Sequence, residues 1–174
     1  LLTPTGDFKE YYSLAYRWAG KQEAALQELE ASGLRGRGGA GFPFHVKVRS
    51  SRDAEADKKY VVCNGDEGDT GGFMDMGIME GKPHSGIEGM IIAGYAVSAC
   101  KGFVFVRPSY ETLSKILERE VEIARQAGYL GENILGSDFS YDIVVHRSGG
   151  RYICGEATAL LNAIQGKRPN PKQP

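Results

Sequence analysis

A glycine-rich stretch from Ser32 to Pro43 is the part of this sequence best suited to binding an anion. Five of its twelve residues are glycine, and two arginines lie among them. Glycine lets the backbone approach a ligand where a Cβ atom would collide, and backbone N–H groups beside positive charge are what a phosphate requires. The stretch therefore predicts an anion-binding loop, with a solvent-exposed turn as the alternative.

The spacing of these glycines fits neither standard nucleotide loop. Residues 36–41 read G-x-G-x-x-G, but the dinucleotide fingerprint follows a strand, whereas residues 21–31 have helical character. A Walker A loop has a lysine after its last glycine, where this chain has Phe42. We expect an anion loop of a different kind.

A second polar loop follows a short apolar run. Residues 64–72 read N-G-D-E-G-D-T-G-G, which brings three carboxylates and an amide together. Gly68 stands where a calcium loop requires a ligand, and no glutamate closes the loop at the required distance, so no metal site is predicted. Carboxylates of this kind suit the hydroxyl groups of a sugar or ribityl chain. A solvated acidic turn is the alternative.

Cys154, Gly155 and Glu156 form the third candidate, at the start of a predicted helix. A thiol at a helix start can act as a nucleophile when a base is near, although the three histidines are all distant in sequence. A buried structural cysteine is the alternative. The three cysteines form no C-x-x-C pair, so no zinc or iron–sulfur ligand set is predicted.

The bulk properties exclude several classes of protein. A chain of 174 residues fits one domain. Its net charge of −1 creates no field that would attract nucleic acid or an anionic membrane, so neither is an expected partner. No apolar run is long enough to span a bilayer and no signal peptide is visible. The odd cysteine count predicts reduced thiols, and hence a cytoplasmic protein.

Three short apolar runs are typical of strands and alternate with helical patterns. The predicted strands cover residues 60–63, 103–106 and 141–146. Two helices are predicted over residues 8–18 and 21–32. A third begins at a capping box over Ser85–Glu88, a fourth begins at a cap on Ser109, and a fifth covers residues 156–165. Residues 50–59 and 64–75 are expected to be a polar connection and a loop.

This alternation predicts an α/β fold, a Rossmann-like parallel sheet with helices on both faces and the glycine-rich loop ahead of the first strand. Ligands of such sheets bind at the carboxyl ends of the strands. The loops after the first and third predicted strands lie at those ends. We therefore expect the acidic loop, the Cys154–Glu156 turn and the glycine-rich loop to surround one crevice.

Four blocks occur in order along the chain, at 32–43, 62–67, 83–92 and 151–160. Together they closely resemble the flavin-bearing subunit of NADH dehydrogenases, the F-type family of NADH-quinone oxidoreductases. That family includes diaphorase subunits of NAD-linked hydrogenases and of formate dehydrogenases. The resemblance implies non-covalent FMN, hydride transfer from nicotinamide C4 of NAD(H) or NADP(H) to flavin N5, and single electrons passed to an iron–sulfur cluster.

The resemblance also implies roles for individual residues. The glycine-rich loop would lie against the FMN phosphate and ring edge, the acidic loop would bind the ribityl and ring region, and the last block would line the isoalloxazine. Glu67 and Glu156 would be the catalytic residues. The implied cofactor-binding residues are Gly36, Arg37, Gly38, Gly39, Gly41, Phe42, Lys47, Asn64, Asp66, Glu67, Asp69, Tyr152, Gly155 and Glu156, and no metal ligand is implied.

The implied domain organisation is an N-terminal helical segment over residues 1–31 and an FMN/NAD(H)-binding domain over residues 32–174. We expect the sequence to stop before the ubiquitin-like domain and the domain that holds a 4Fe-4S cluster. Implied partners are a nicotinamide nucleotide and other subunits of a redox complex, including a 2Fe-2S subunit, with no direct membrane insertion. A non-catalytic nucleotide-binding or scaffold module of the same fold is the alternative.

Two positions depart from the family pattern. The family commonly has two adjacent glutamates after the Cys-Gly pair, whereas Glu156 is followed here by Ala157. Asp69 is one methylene shorter than the glutamate of respiratory members. The acidic loop as a whole favours the hydrogenase and formate dehydrogenase branch over the respiratory one.

Overall fold

The computed structural model describes residues 10–172 and contains one open sheet of three parallel strands. The strands are β1 (Tyr60–Gly65), β2 (Lys101–Val106) and β3 (Asp142–Arg147), in the spatial order β1-β2-β3. Tyr60 pairs with Lys101, and Lys101 pairs with Asp142. Because the three strands begin level and have equal length, their carboxyl ends form one straight edge of the sheet. The predicted Rossmann-like parallel sheet is confirmed.

Seven α-helices and three 3₁₀ turns surround the sheet within the described residues. The α-helices are α1 (Ser13–Trp18), α2 (Gln22–Ala31), α3 (Phe44–Asp53), α4 (Met74–Gly81), α5 (Pro83–Val97), α6 (Glu111–Gln126) and α7 (Ala157–Ile164). The 3₁₀ turns cover Glu10–Tyr12, Ile134–Gly136 and Tyr152–Gly155. Helices were predicted at all of these α positions except α3 and α4. The predicted helix start at Phe8 lies outside the described residues.

The two predicted caps are wrong. Helix α5 begins at Pro83, two residues before the predicted capping box, because proline at the first helical position has a preset φ and no N–H to satisfy. The Glu88 carboxylate accepts hydrogen bonds from the backbone N–H groups of Leu14 and Ala15 at 2.9 and 3.1 Å. Helix α6 begins at Glu111, so its N-cap residue is Tyr110 and not the predicted Ser109, and the Tyr110 side chain makes no capping hydrogen bond.

Alternate residues of β2 enter two separate apolar clusters, because side chains alternate across a strand. Val104 and Val106 belong to the main core, which also contains residues of α5 and α6. Phe105 points to the other face, where it packs with Cys154 and Leu160. Helices therefore lie on both faces, with α7 on the side of Phe105.

The N-terminal helices share the main core with the sheet. Tyr12 is fully buried and its ring stacks on Tyr129 at a centroid distance of 3.9 Å. The Tyr12 hydroxyl lies 2.8 Å from His84 Nδ1, and His84 Nε2 lies 2.9 Å from a Glu120 carboxylate oxygen. Burial lowers the pKa of His84, against the opposing effect of Glu120. Residues 10–18 are thus anchored on α5 and α6.

Candidate functional site

A polar cavity of about 750 Å³ lies at the carboxyl end of the sheet. The glycine-rich loop, the acidic loop after β1 and the turn before α7 all contribute to its wall, as the sequence predicted. Its lining residues are Arg37, Gly38, Gly39, Asn64, Asp66, Glu67, Gly68, Asp69, Met74, Asp75, Tyr152, Gly155 and Glu156. Five of these carry carboxylates and one carries a guanidinium, so the wall is acidic except at Arg37.

Gly36, Gly41, Phe42 and Lys47, which were predicted to bind the cofactor, do not line this cavity. Lys47 lies on α3 and lines a second, mostly apolar cavity of about 420 Å³, bordered by β1 and α7. Asn64 lines both cavities, so the two meet at the end of β1. Phe42 is 53% exposed beside the glycine-rich loop.

The glycine-rich loop closes on itself as a small hairpin. The backbone N–H of Gly36 donates to the Phe42 carbonyl at 2.8 Å, and the Arg35 guanidinium donates to the Gly41 carbonyl at 2.9 Å. Gly39 and Gly41 have φ values of +102° and +59°, in the region that favours glycine. Backbone conformation therefore favours glycine at these two positions.

Asp66 has one carboxylate oxygen without a partner. The residue is 8% exposed, and its Oδ1 accepts a hydrogen bond from the Ser148 hydroxyl at 3.0 Å. Its Oδ2 is buried and has no hydrogen-bond partner within residues 10–172. Burial raises the pKa of Asp66, whereas the Ser148 hydrogen bond and the charge of Arg107 lower it. A residue that lines a cavity and has an unpaired carboxylate oxygen is a candidate acceptor for an N–H or O–H donor of a ligand.

The Glu67 carboxylate is engaged by the protein itself. It accepts hydrogen bonds from the backbone N–H groups of Met74 at 2.8 Å and Met76 at 3.5 Å, at the start of α4. The Tyr110 hydroxyl donates to the same carboxylate at 3.2 Å. Arg107 donates to the Glu67 backbone carbonyl. Glu67 thus connects the acidic loop to α4 and to the start of α6.

Glu156 is the N-cap of α7 and not a residue of its first turn. Its carboxylate accepts from the backbone N–H groups of Thr158 at 3.0 Å and Ala159 at 2.9 Å, and from the Thr158 hydroxyl at 2.6 Å. These hydrogen bonds lower the pKa of Glu156. The Asn64 side chain donates to the Gly155 carbonyl at 2.9 Å, which ties the end of β1 to the turn before α7.

Tyr152 stands at the mouth of the cavity and is 72% exposed. Its hydroxyl lies 3.4 Å from an Asp69 carboxylate oxygen. A Cβ atom at Gly68 would lie 2.9 Å from the Tyr152 ring, so a side chain there would displace the ring. The ring thus offers an exposed aromatic surface whose position depends on the acidic loop.

The sequence prediction missed four residues at or behind the cavity wall: Asp75, Arg107, Tyr110 and Ser148. Asp75 lines the cavity, and its pKa is raised by burial and by the charge of Glu67. Ser148 directly follows β3 and Arg107 directly follows β2. Their place after a parallel strand is the signal that could have found them.

Cys154 is fully buried beside Phe105 and Leu160. This burial favours the structural alternative for Cys154 over a thiol nucleophile. Within residues 10–172, no group of three or more His, Cys, Asp and Glu side chains is arranged to hold a metal ion. None of the helices in that range combines the length and apolar composition needed to cross a membrane.

The family model and the related proteins that this chain matches indicate the same family. Residues 29–174 match the family model described as the Nuo51 FMN-binding domain. The chain is 48% identical over 143 residues to the NADP-reducing hydrogenase subunit HndC of Solidesulfovibrio fructosivorans, covering 82% of this chain and 29% of that protein. It is 43% identical over 152 residues to the mitochondrial NADH dehydrogenase [ubiquinone] flavoprotein 1 of Dictyostelium discoideum, covering 84% of this chain and 31% of that protein.

A solved structure is similar over nearly the whole chain. The crystal structure of an NAD+-reducing NiFe-hydrogenase in the air-oxidized state superposes with a TM-score of 0.80 at 32% sequence identity. The match covers 97% of this chain and 27% of that chain. The sequence therefore spans about a third of the length of the relatives it matches.

Proposed function

Because the chain belongs to the Nuo51 FMN-binding domain family, we propose that it binds FMN in the polar cavity and serves the oxidation of NADH or NADPH in a larger redox complex. FMN, when bound, supplies the redox chemistry: it can accept a hydride at N5 and release the two electrons one at a time. The protein's part is to bind, orient and set the electrostatic surroundings.

The observation that carries this proposal is the Asp66 side chain, which lines the cavity and has one carboxylate oxygen, Oδ2, without a hydrogen-bond partner within residues 10–172. The flavin ring and the ribityl chain both carry hydrogen-bond donors, and an ionised carboxylate accepts such bonds strongly. Arg37 and the backbone of Gly38 and Gly39 supply positive charge and donors for a phosphate on the same wall. The three features together match an anionic ligand rich in hydroxyl groups.

The other residues of the cavity wall would mainly hold the site in its shape. Asn64 and Glu156 hold the end of β1 and the start of α7 in place through their own hydrogen bonds. The exposed ring of Tyr152 offers a stacking surface at the mouth, where a nicotinamide ring would approach. Glu67 holds the acidic loop, and a direct catalytic role for Glu67 or Glu156 stays a prediction.

The wider assignments rest on the family. We propose a cytoplasmic protein that donates electrons to iron–sulfur clusters, a 4Fe-4S cluster elsewhere in the full-length protein and a 2Fe-2S cluster in a partner subunit. The relatives named above are components of an NADP-reducing hydrogenase and of a mitochondrial NADH dehydrogenase. Because this chain spans about a third of their length, the activity of the whole protein is part of the proposal.

Titration of the protein with FMN, followed by quenching of flavin fluorescence, tests the proposal. We expect saturable binding, tighter for FMN than for riboflavin, which lacks the phosphate. Arg37→Ala should reduce the affinity for FMN toward that for riboflavin and leave riboflavin binding unchanged. Anaerobic addition of NADH should then bleach the bound flavin. Absence of FMN binding would contradict the proposal, and binding without bleaching would support the scaffold alternative.

Replacing Ala157 by glutamate is expected to lower the reduction potential of bound FMN or to change the affinity for NADH. Ala157 is the exposed first residue of α7 and lines the apolar cavity beside Asn64. A carboxylate there is tolerated by the helix dipole and adds negative charge, which opposes reduction. The expected size is on the order of 30 mV, or about 1.4 kcal/mol for a two-electron couple.

Ala157→Gln is the matched control, since it adds the same volume without the charge. Potentiometric titration and NADH titration measure the two quantities. The prediction fails if Ala157→Glu has the same potential and the same NADH affinity as both Ala157→Gln and the unaltered protein.

A further inference from the structure

We propose that Ser148 is a positioning residue that fixes the Asp66 carboxylate in the orientation and charge state in which it receives the ligand. This inference rests on the proposed function, because it concerns the same cavity. It goes beyond that function by assigning a role to a residue of the loop after β3, a residue that does not itself line the cavity.

The surroundings of Ser148 determine the direction of its hydroxyl hydrogen. Its backbone N–H donates to the Val106 carbonyl at 2.8 Å, which holds the residue at the joined ends of β2 and β3. Its hydroxyl oxygen accepts from the backbone N–H of Gly150 at 3.2 Å and lies 3.0 Å from Asp66 Oδ1. A hydroxyl has one hydrogen to donate, so that hydrogen is directed to Asp66. The residue is 7% exposed, which shields this bond from water.

This single bond has two consequences for Asp66. It occupies Oδ1 and so fixes the plane of the carboxylate, leaving Oδ2 as the oxygen that has no hydrogen-bond partner within residues 10–172. It also favours the ionised form, the form that accepts hydrogen bonds with both oxygens. Without the Ser148 hydrogen bond, the nearly buried Asp66 carboxylate would have no hydrogen-bond donor within residues 10–172. Protonation or rotation of the carboxylate would then be favourable.

Other charges act on Asp66 as well. Arg107 favours the ionised form from the end of β2. The other carboxylates on the cavity wall repel the negative charge of Asp66: Glu67, Asp69, Asp75 and Glu156. The uncharged phenol of Tyr152 and the positive Arg37 complete the titratable groups of the wall. Burial also raises the pKa of Asp66, and the Ser148 hydrogen bond is the first of the two effects that lower it. Removal of that bond should therefore raise the pKa further.

The direct test is a ¹³C NMR titration of the Asp66 carboxyl in the protein without FMN. Ser148→Ala should move the titration midpoint of Asp66 to higher pH. Ser137→Ala is the matched control, because the Ser137 hydroxyl also donates one hydrogen bond, in its case to the Ile134 carbonyl at 2.8 Å, and also accepts from a backbone N–H, that of Phe139 at 3.2 Å. An unchanged midpoint in Ser148→Ala, or an equal change in Ser137→Ala, would overturn the proposal.

The second test measures the affinity for FMN across pH in the same variants. Affinity should fall as pH decreases through the pKa of Asp66, because the protonated carboxyl loses an acceptor. Protonation should weaken binding about tenfold in total, the effect of one hydrogen bond of about 1.4 kcal/mol. Ser148→Ala should shift this fall to higher pH, so that at its new midpoint, where half of the Asp66 carboxyls are protonated, it binds FMN about twofold more weakly than the unaltered protein. In Asp66→Asn this component of the pH dependence should disappear, and adding Ser148→Ala should shift none of the pH dependence that the FMN phosphate and the other wall carboxylates still cause.

The two tests separate the two proposals. If the unaltered protein binds no FMN, the proposed function fails while the NMR titration still decides the role of Ser148. If FMN binds with the same pH profile in Ser148→Ala as in the unaltered protein, the positioning role fails and the proposed function stands.

Discussion

Replacing Glu67 by alanine is expected to weaken FMN binding by about a hundredfold. The Glu67 carboxylate receives the first N–H groups of α4 and the hydroxyl of Tyr110. Hydrogen bonds to charged groups contribute about 1.5–3 kcal/mol each, so the loss of two of them corresponds to about 3 kcal/mol and two orders of magnitude in affinity.

The expected mechanism is a change in the shape of the cavity and not the loss of a direct contact. The acidic loop and α4 are joined through Glu67, and both Asp69 and Asp75 line the cavity on either side of that joint. A released loop would also move the support beneath Tyr152, since Gly68 lies against its ring. Both effects should appear as weaker binding of FMN and of riboflavin alike.

Glu67→Gln and Glu55→Ala complete the experiment. Glutamine keeps the volume and one acceptor oxygen of Glu67, so its loss of affinity should be intermediate, about tenfold. Glu55 is an exposed carboxylate before β1, and its replacement should leave the affinity unchanged. Fluorescence titration measures all three. A Glu67→Ala protein that binds FMN as tightly as the Glu55→Ala protein would contradict the role assigned to Glu67.

The sheet and its ligand-binding edge could be predicted because both follow from local patterns. Three apolar runs separated by amphipathic helices specify a parallel sheet, and the carboxyl ends of parallel strands meet at one edge. β1 continues two residues beyond its apolar run, since Asn64 and Gly65 still pair with Phe105 and Val106. Backbone pairing thus extends a strand into residues whose side chains indicate a loop.

The helices α3 and α4 could not be predicted, because their stability comes from distant contacts. Helix α4 has no fully buried residue, and its start is capped by Glu67, seven residues earlier in the chain. Helix α3 is mostly polar, with Val48 as its buried residue, and it packs on α2 and α5. Neither sequence carries enough local signal to distinguish a helix from a polar connection.

The detailed chemistry of the cavity depends on contacts that span long stretches of sequence. Ser148 and Asp66 are separated by 82 positions, and Asn64 and Gly155 by 91. The sequence identified the acidic residues as candidates, but only the fold distinguishes their tasks. Asp66 has a carboxylate oxygen without a hydrogen-bond partner within residues 10–172, whereas Glu67 and Glu156 each hold the start of a helix.

Replacing Gly102 by alanine is expected to cause the largest loss of stability, about 3 kcal/mol. Gly102 lies in the central strand β2, and a Cβ atom there would collide with the Tyr141 hydroxyl and lie 2.8 Å from the Met90 methyl group. Tyr141 is almost fully buried, at 1% exposure, so its ring has no room to move. In a domain of this size the melting temperature should fall by roughly 6–12 °C.

Gly77→Ala is the matched control, because a Cβ atom at Gly77 meets nothing within 4 Å. Gly77 lies inside α4, where alanine is favoured over glycine by about 1 kcal/mol. This variant should therefore be as stable as the unaltered protein or slightly more stable. Equal melting temperatures for Gly77→Ala and Gly102→Ala would contradict the close packing of Tyr141 on β2.

Tyr141→Phe should partly rescue Gly102→Ala, and this rescue identifies the cause of the instability. The Tyr141 hydroxyl is buried and has no hydrogen-bond partner within residues 10–172, so its removal alone should cost little or even stabilise the protein. In the double variant the atom nearest to the new Cβ is gone, while the Met90 methyl group remains close. Thermal unfolding of the four proteins gives the coupling directly. A coupling of zero would show that the Tyr141 hydroxyl is not what excludes a side chain at Gly102.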